Sequence, residues 1–235
     1  MLLRIDKFIS SQKNVSRNEA HSLIKNKEVL INDVLCKSGS ERIDTEKDIV
    51  KLSGEEIKYK KYLYLMMNKP KGVVSASKDN IDKTIIDILS DDYKRKNLFC
   101  AGRLDKDTTG LLILTDDGEY LHNVISPNKK VYKEYEVEVD KIIEDELKEQ
   151  IESGIELKDG TKYMQAFFTR TGEYTGIIRI CEGKYHQIKR MCQHCGYKVK
   201  ELNRIKIGKL SLDGSLEAGQ VRELSEKEIK DSLMN

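Results

Sequence analysis

Apolar residues in the first sixty positions recur first at helical and then at strand spacing. Ile5, Phe8 and Ile9 share one helical stripe, and Ser16-Arg17-Asn18-Glu19 is a capping box, a serine N-cap with a glutamate three residues on. That box opens a second helix through Ala20, Leu23 and Ile24. Glu28–Ile31 and Val34–Cys36 then flank Asn32-Asp33, a pair suited to a tight hairpin, and Ile49–Leu52 supplies a third strand. A core this small is marginal alone. Ser53–Lys61 is polar and reads as a linker, and the apolar run Tyr62–Met67 reads as the first strand of a new domain. The predicted division is therefore a module at 1–60, linker included, and a larger domain at 61–235.

In the larger domain, Lys69-Pro70-Lys71-Gly72-Val73 forces a turn with two lysines beside it. A polar, hydroxyl-rich loop between Gly102 and Gly110 leads into an apolar strand, Leu111–Leu114, and Asp116 and Asp117 read as N-terminal caps for a helix through Tyr120 and Leu121. Ile143, Leu147 and Ile151 form a helical stripe, while Tyr163–Thr169 and Thr175–Ile180 alternate as paired strands. His186 and Gln187 are placed to open a helix carrying Lys189 and Arg190, and Ser225–Glu228 is a second capping box that opens a terminal helix.

Composition narrows the class without naming it. Of 235 residues 38% are hydrophobic and 35% charged, and no apolar run approaches the ~20 residues of a membrane span. The first residues, Met1-Leu2-Leu3-Arg4, lack the long apolar centre of a signal peptide, so the expected compartment is the cytoplasm. Five cysteines, an odd number in a mid-sized chain, are expected to be reduced thiols. Net charge is only +2, but its distribution is uneven: Gly183–Lys209 holds eight Lys/Arg against one acid, and Glu138–Glu156 eight acids against two basic residues. One strongly basic surface follows, interleaved with Tyr185, His186, Gln187 and Tyr197, a composition that suits RNA.

Two metal readings are set aside on pattern. Asp105, Asp107, Thr109, Gly110 and Asp116 match positions of an EF-hand loop, but the last place has Asp for the bidentate Glu, and Leu111–Leu114 is strand where a helix is required. Cys192-Gln193-His194-Cys195 offers thiols and an imidazole, but no second ligand pair follows to complete a tetrahedral zinc site. In a predicted helix such cysteines pack as small apolar groups.

Gly102-Arg103-Leu104-Asp105, followed by Thr109-Gly110-Leu111-Leu112, resembles the signature of the pseudouridine synthase superfamily. Lys69-Pro70-Lys71-Gly72 is similar to the first motif of that superfamily, Lys133-Glu134-Tyr135 to its tyrosine strand, and Glu182 to Met191 to its third motif; Arg204–Leu212 and Gly219–Leu224 carry the likeness almost to the end. Over roughly Met1–Leu52 the chain resembles the alpha-L RNA-binding motif, on Arg4-Ile5-Asp6-Lys7-Phe8, Ser16-Arg17 and Val29-Leu30-Ile31-Asn32. Together these place it near the RsuA-like branch, whose members modify small-subunit ribosomal RNA. Met191–Tyr197 departs from that branch, with cysteines where an aromatic is common.

The resemblance implies an α+β fold: a small alpha-L domain followed by a catalytic domain on a mixed, mostly antiparallel sheet, with the cleft across its middle. It implies isomerisation of a specific uridine to pseudouridine in ribosomal RNA, small-subunit RNA first and large-subunit RNA as the alternative. The different-class alternative is a non-catalytic RNA-binding assembly factor. Asp105 would be the catalytic carboxylate, Lys189 its basic partner and Tyr135 the ring against the base. Arg103, Lys69, Lys71, Thr109, His186, Gln187 and Arg190, with Arg4, Lys7, Arg17, Lys25 and Lys27 on the small domain, would contact RNA. No cofactor or metal is implied, and the partner would be ribosomal RNA or a subunit assembly intermediate, with no membrane and the enzyme a monomer.

Overall fold

In the computed structural model, which describes residues 1–95 and 97–235, the chain begins with β1 (Leu2–Arg4), α1 (Ile5–Gln12) and α2 (Arg17–Lys25). Strands β2 (Val29–Ile31), β3 (Val34–Leu35), β4 (Arg42–Asp44), β5 (Val50–Leu52) and β6 (Glu55–Ile57) follow. The capping box forms as its spacing predicts, Ser16 Oγ accepting from the Glu19 amide while the Glu19 carboxylate accepts from the Ser16 amide. Asn32 and Asp33 both take positive φ, 50° and 64°, the backbone a two-residue hairpin between β2 and β3 requires. Ile5, Phe8, Ile9, Ala20, Ile24, Val29, Ile43 and Val50 are buried together, so both amphipathic helices turn their stripes onto the strands.

One expectation about this region is corrected. Ser53–Lys61 is not simply a linker: Ser53 (φ 50°) and Gly54 (φ 88°) turn the chain into β6, which pairs with β5 and buries Ile57 while Glu55 and Glu56 stay exposed. Its polarity reflects a strand with one wet face. The compact units divide as Met1–Leu63 with Leu89–Leu98, and Tyr64–Ile88 with Phe99–Asn235. A later segment thus returns to the first unit, where Leu89 and Leu98 are buried and Arg95 donates to Gln12 Oε1 at 3.0 Å.

The second unit runs β7 (Tyr64–Lys69), β8 (Phe99–Cys100), β9 (Thr109–Thr115), α3 (Gly118–Ile125), β10 (Lys133–Val139), α4 (Glu146–Glu152), β11 (Phe167–Arg170), β12 (Thr175–Ile180) and α5 (Gln187–His194). It ends in β13 (Val199–Ile207), β14 (Leu210–Ser211), β15 (Val221–Glu223) and α6 (Glu226–Asp231). One sheet orders these strands β11-β12-β10-β13-β9-β7-β15, with β8 against β9 and β14 against β13. Among these strands only β9 and β13 run parallel as neighbours, so the sheet is mixed and mostly antiparallel.

Burial follows position in the sheet. Central β9 is apolar because both its faces are covered: Leu111, Leu112, Ile113 and Leu114 are all fully buried. In β10 the alternation Lys133, Tyr135, Val137, Val139 inward and Glu134, Glu136, Glu138 outward is the period of a half-buried strand. Tyr120 and Val124 of α3 pack on Met66, Leu111, Ile113 and Ile207, with Ile229 and Leu233 beside them. Asp117, rather than Asp116, caps α3, accepting from the Glu119 and Tyr120 amides. Ile143 lies ahead of α4 but is buried with Leu147 and Ile151, and β11 starts only at Phe167, not at Tyr163. Ser225 and Glu228 form the second capping box. Two bonds in the register matter for the site: Arg204 on β13 lies opposite Tyr135 on β10 and opposite Gly110 on β9.

Candidate active site

Chain geometry first fixes the loop between β8 and β9. Gly102 takes φ 88°, open to glycine at no steric cost, and so turns the chain out of β8. Ser75 Oγ donates to Leu104 O at 2.8 Å and accepts from Leu104 N at 3.1 Å; the Gly72 amide donates to Lys106 O at 2.8 Å; the Thr108 amide donates to Asp105 O at 3.1 Å. Beneath the loop, the Lys69 ammonium donates to Pro70 O (3.0 Å), Thr108 O (2.9 Å) and Lys106 O (3.4 Å). Burial lowers Lys69 to about 8, with Asp107 and Asp105 opposing that shift. The Lys-Pro-Lys-Gly turn and the loop carrying Asp105 are thereby one hydrogen-bonded unit.

On this frame the Asp105 carboxylate projects into an open cleft that Thr108, Tyr135, Ile180, Leu202 and Lys189 also line. Lys189 Nζ lies 3.1 Å from Asp105 Oδ2 and 2.5 Å from Asp107 Oδ1, one ammonium shared by two carboxylates. Burial works to lower the lysine, but the hydrogen bonds to Asp107 and Asp105 outweigh it and hold Lys189 above the ordinary lysine value. Burial likewise works to raise Asp107, and the bond from Lys189 leaves it below the usual carboxylate range. His186 Nε2 stands 3.6 Å from Asp105 Oδ1. Tyr135 is only 8% exposed but lines the cleft, as do the aliphatic side chains of Ile180 and Leu202.

The third side of the cleft comes from the turn before α5. Glu182, buried, accepts from the Met164 amide at 2.7 Å and from Gln187 Nε2 at 2.9 Å, and Gln187 Oε1 in turn accepts from the Lys184 amide. His186 occupies the left-handed region (φ 47°) immediately ahead of the helix, its ring stacked on Tyr185 at 3.8 Å between centroids. Tyr185 is 75% exposed, so the stacked pair forms an aromatic surface at the rim.

Several expected RNA contacts sit elsewhere than expected. Lys69 is fully buried and spends its three donors on backbone carbonyls; it braces the loop and has no face for RNA. Gln187 is 3% exposed and is committed to Glu182 and Lys184, because its place in the first turn of α5 points it into the domain. Thr109 donates to Asn203 Oδ1 at 3.1 Å within the β9–β13 junction. Arg103 is exposed at the edge of the cleft, Lys71 is exposed and paired with Glu201, and Arg190 is part-buried and paired with Asp159. In the first unit Lys7 and Arg17 line one surface depression with Ser10, Ser16 and Asn18, Arg4 is tied to buried Asp6, and Lys25 and Lys27 are exposed. Cys192 is buried, its thiol pushed up to about 12 by burial, and packs as a small apolar residue.

Sequence reading missed three members of the site. Asp107 has no role in the chemistry that its motif announces, yet it shares Lys189 with Asp105. Ser75 lies two residues beyond the Lys69–Val73 turn, and a lone serine there carries no signal of its own. Arg204 was read within a basic run, although strand parity puts it on the face of Leu202, and it is 2% exposed.

Similarity to known proteins agrees with this architecture. The family model described as RNA pseudouridylate synthase matches residues 63–194, and that of the S4 domain matches residues 3–50. The chain is 40% identical over 228 residues to a protein of Vibrio cholerae named ribosomal small subunit pseudouridine synthase A, covering 97% of this chain and 98% of that one. It is 38% identical over 231 residues, 97% of each chain, to a Bacillus subtilis protein named as an uncharacterized RNA pseudouridine synthase. A crystal structure of a pseudouridylate synthase superposes with a TM-score of 0.69 at 36% identity, covering 98% of this chain and 99% of that one. With an S4 domain ahead of a pseudouridylate synthase domain, and relatives matching end to end, the chain belongs to the RNA pseudouridine synthase family, in its RsuA-like branch.

Proposed function

We propose that this pseudouridine synthase isomerises one uridine of small-subunit ribosomal RNA, with Asp105 as the catalytic carboxylate, Lys189 as its counter-ion and Tyr135 as the surface for the base. The observation that carries the reading is the Asp105–Lys189 pair at 3.1 Å in a cleft that Tyr135 also lines. The names of several relatives, each matching nearly the whole chain, support the small-subunit target. The reaction breaks the bond from the sugar to the base nitrogen, turns the uracil in place and rejoins it through carbon. Substrate and product hold the same atoms and electrons, so no electron carrier enters the balance. The protein must instead hold a nucleotide drawn out of its stack, keep a carboxylate beside the sugar, and retain the detached base against a ring. Stacking on an aromatic is worth ~1–3 kcal/mol per base. Arg103 and the Tyr185–His186 rim would meet the surrounding RNA, and Lys7, Arg17 and Lys25 of the first unit its phosphates. The setting is the cytoplasm, the enzyme a monomer, and the substrate ribosomal RNA or an assembly intermediate.

Ribosomal RNA from a strain lacking the protein, treated with a pseudouridine-specific carbodiimide and mapped by reverse-transcription stops, tests the target. One stop should vanish from the small-subunit RNA and return on complementation. Loss confined to large-subunit RNA, or no loss at all, rejects the assignment.

Lys189→Met removes the cation that Asp105 and Asp107 share. The two carboxylates then lose the group that holds them in place, so the variant should lose about 100-fold in single-turnover rate, the cost of a misplacement near 1 Å. Single-turnover rates at one pH, beside the folded fraction, check this, and the parent rate in a folded variant would show that the ammonium does not hold the catalytic carboxylate in place.

A further inference from the structure

Three buried cations lie around the loop that carries Asp105. Lys69 and Lys133 spend their protons on backbone carbonyls, Lys133 on Val124 O and Val131 O at 2.8 Å each. The third, Arg204, is 2% exposed and forms no ion pair among the described residues. A buried guanidinium without a carboxylate carries a desolvation penalty that an apolar side chain of similar volume avoids, and only its hydrogen bonds to neighbouring groups offset that cost.

Its contacts indicate that role. Arg204 Nε donates to Leu111 O at 2.7 Å and Nη2 to Gly102 O at 3.2 Å. Gly102 and Leu111 bracket the segment that contains Asp105, Asp107 and Thr108, so one rigid group grips the loop at both ends. The remaining arm, Nη1, lies 3.4 Å from Tyr135 Oη, and the guanidinium carbon is 5.9 Å from the centre of that ring. Backbone register supports the same bridge, with Arg204 paired opposite Tyr135 on β10 and opposite Gly110 on β9. A planar fork presents its five donors in fixed directions to separate segments at once, where a lysine ammonium is a single point at the end of a flexible stem.

We propose that Arg204 is a positioning residue for the isomerisation, a single guanidinium that sets the Asp105 loop and the Tyr135 ring at a fixed separation so that sugar and base are engaged together. It touches neither the sugar nor the base in this role; it acts through the two groups that do. The inference rests on the reading that Asp105 and Tyr135 work in this cleft.

The test uses the full chain and ribosomal RNA from a strain lacking the protein, which contains the target uridine whichever subunit holds it. Arg204→Lys and Arg204→Met are compared with the parent for folded fraction, RNA affinity and single-turnover rate, all well below the melting temperature. A misplacement near 1 Å costs about 100-fold in rate, so Arg204→Lys should lose about that factor while its Kd for RNA stays within about threefold of the parent. In Arg204→Ala, millimolar guanidinium, but not sodium at equal ionic strength, should recover part of the lost rate. A folded Arg204→Lys with the parent rate overturns the proposal, as does a rate loss that only tracks the loss of folded protein or of RNA binding. Turnover by Asp105→Asn would instead remove the underlying reading, a separate failure with its own readout.

Discussion

Asp105→Asn is expected to bind ribosomal RNA like the parent and to form no pseudouridine, a rate loss of at least about 10³-fold. The amide preserves size and keeps an oxygen for Lys189, so the cleft keeps its shape. The side chain is 31% exposed, and Lys189 retains Asp107 as a partner at 2.5 Å, so little stability depends on this one charge. Chemistry depends on it entirely. When a bond from the anomeric carbon to nitrogen breaks, positive charge develops on the sugar, and an anion beside it stabilises that charge or bonds to it. Asparagine offers a dipole in place of the charge and is a poor nucleophile and base. Gel-shift affinity together with carbodiimide mapping of the treated RNA separates the two properties. Pseudouridine formed at the parent rate would sink the assignment of Asp105, and loss of RNA binding in parallel with activity would recast the residue as an RNA contact.

Local signals in the chain were read successfully where they depend on neighbours in sequence. The Ser16 and Ser225 capping boxes, the Asn32-Asp33 turn and the Asp117 cap each involve interactions within four residues, and each appears in the structure. What failed to show were convergences from distant segments. Lys69 looks like a surface cation because it stands in a Pro/Gly turn beside Lys71; its burial depends on carbonyls from residues 106 and 108 closing over it. Gln187 looks like an RNA contact until Glu182, itself buried, takes its amide. The strand Glu55–Ile57 is hidden by its two exposed glutamates, since one buried isoleucine is too weak a signal against a polar background. Arg204 differs in having been legible in part. Counting every second residue of β13 from Leu202 lands on it, and a charged residue on the inward parity of a strand is the kind of rule violation that marks a functional position.

Gly110→Ala should be among the most destabilising single changes available in the second unit. At φ 99° the backbone is in a region that a side chain enters only with strain, of order 1–3 kcal/mol. A Cβ built there would lie 2.3 Å from Arg204 O, 2.4 Å from Asn203 Oδ1 and 2.8 Å from Arg204 N. Two of those three atoms are backbone, so no rotamer change relieves the overlap, and overpacking of this kind adds about 1–3 kcal/mol. The combined cost, about 2–6 kcal/mol, corresponds to a fall in Tm of about 5–20 °C for a domain of this size. Only two residue pairs join β9 to β13, Thr109 with Asn203 and Gly110 with Arg204, so separating the strands here displaces the guanidinium that grips Gly102 and Leu111. Activity should therefore fall further than the folded fraction. Gly118→Ala is the matched control, because a Cβ at that helix-opening position meets nothing within 4 Å and needs no unusual φ. Thermal melts of the two variants should diverge widely; coincident curves would mean that β9 and β13 do not approach as closely as the site requires.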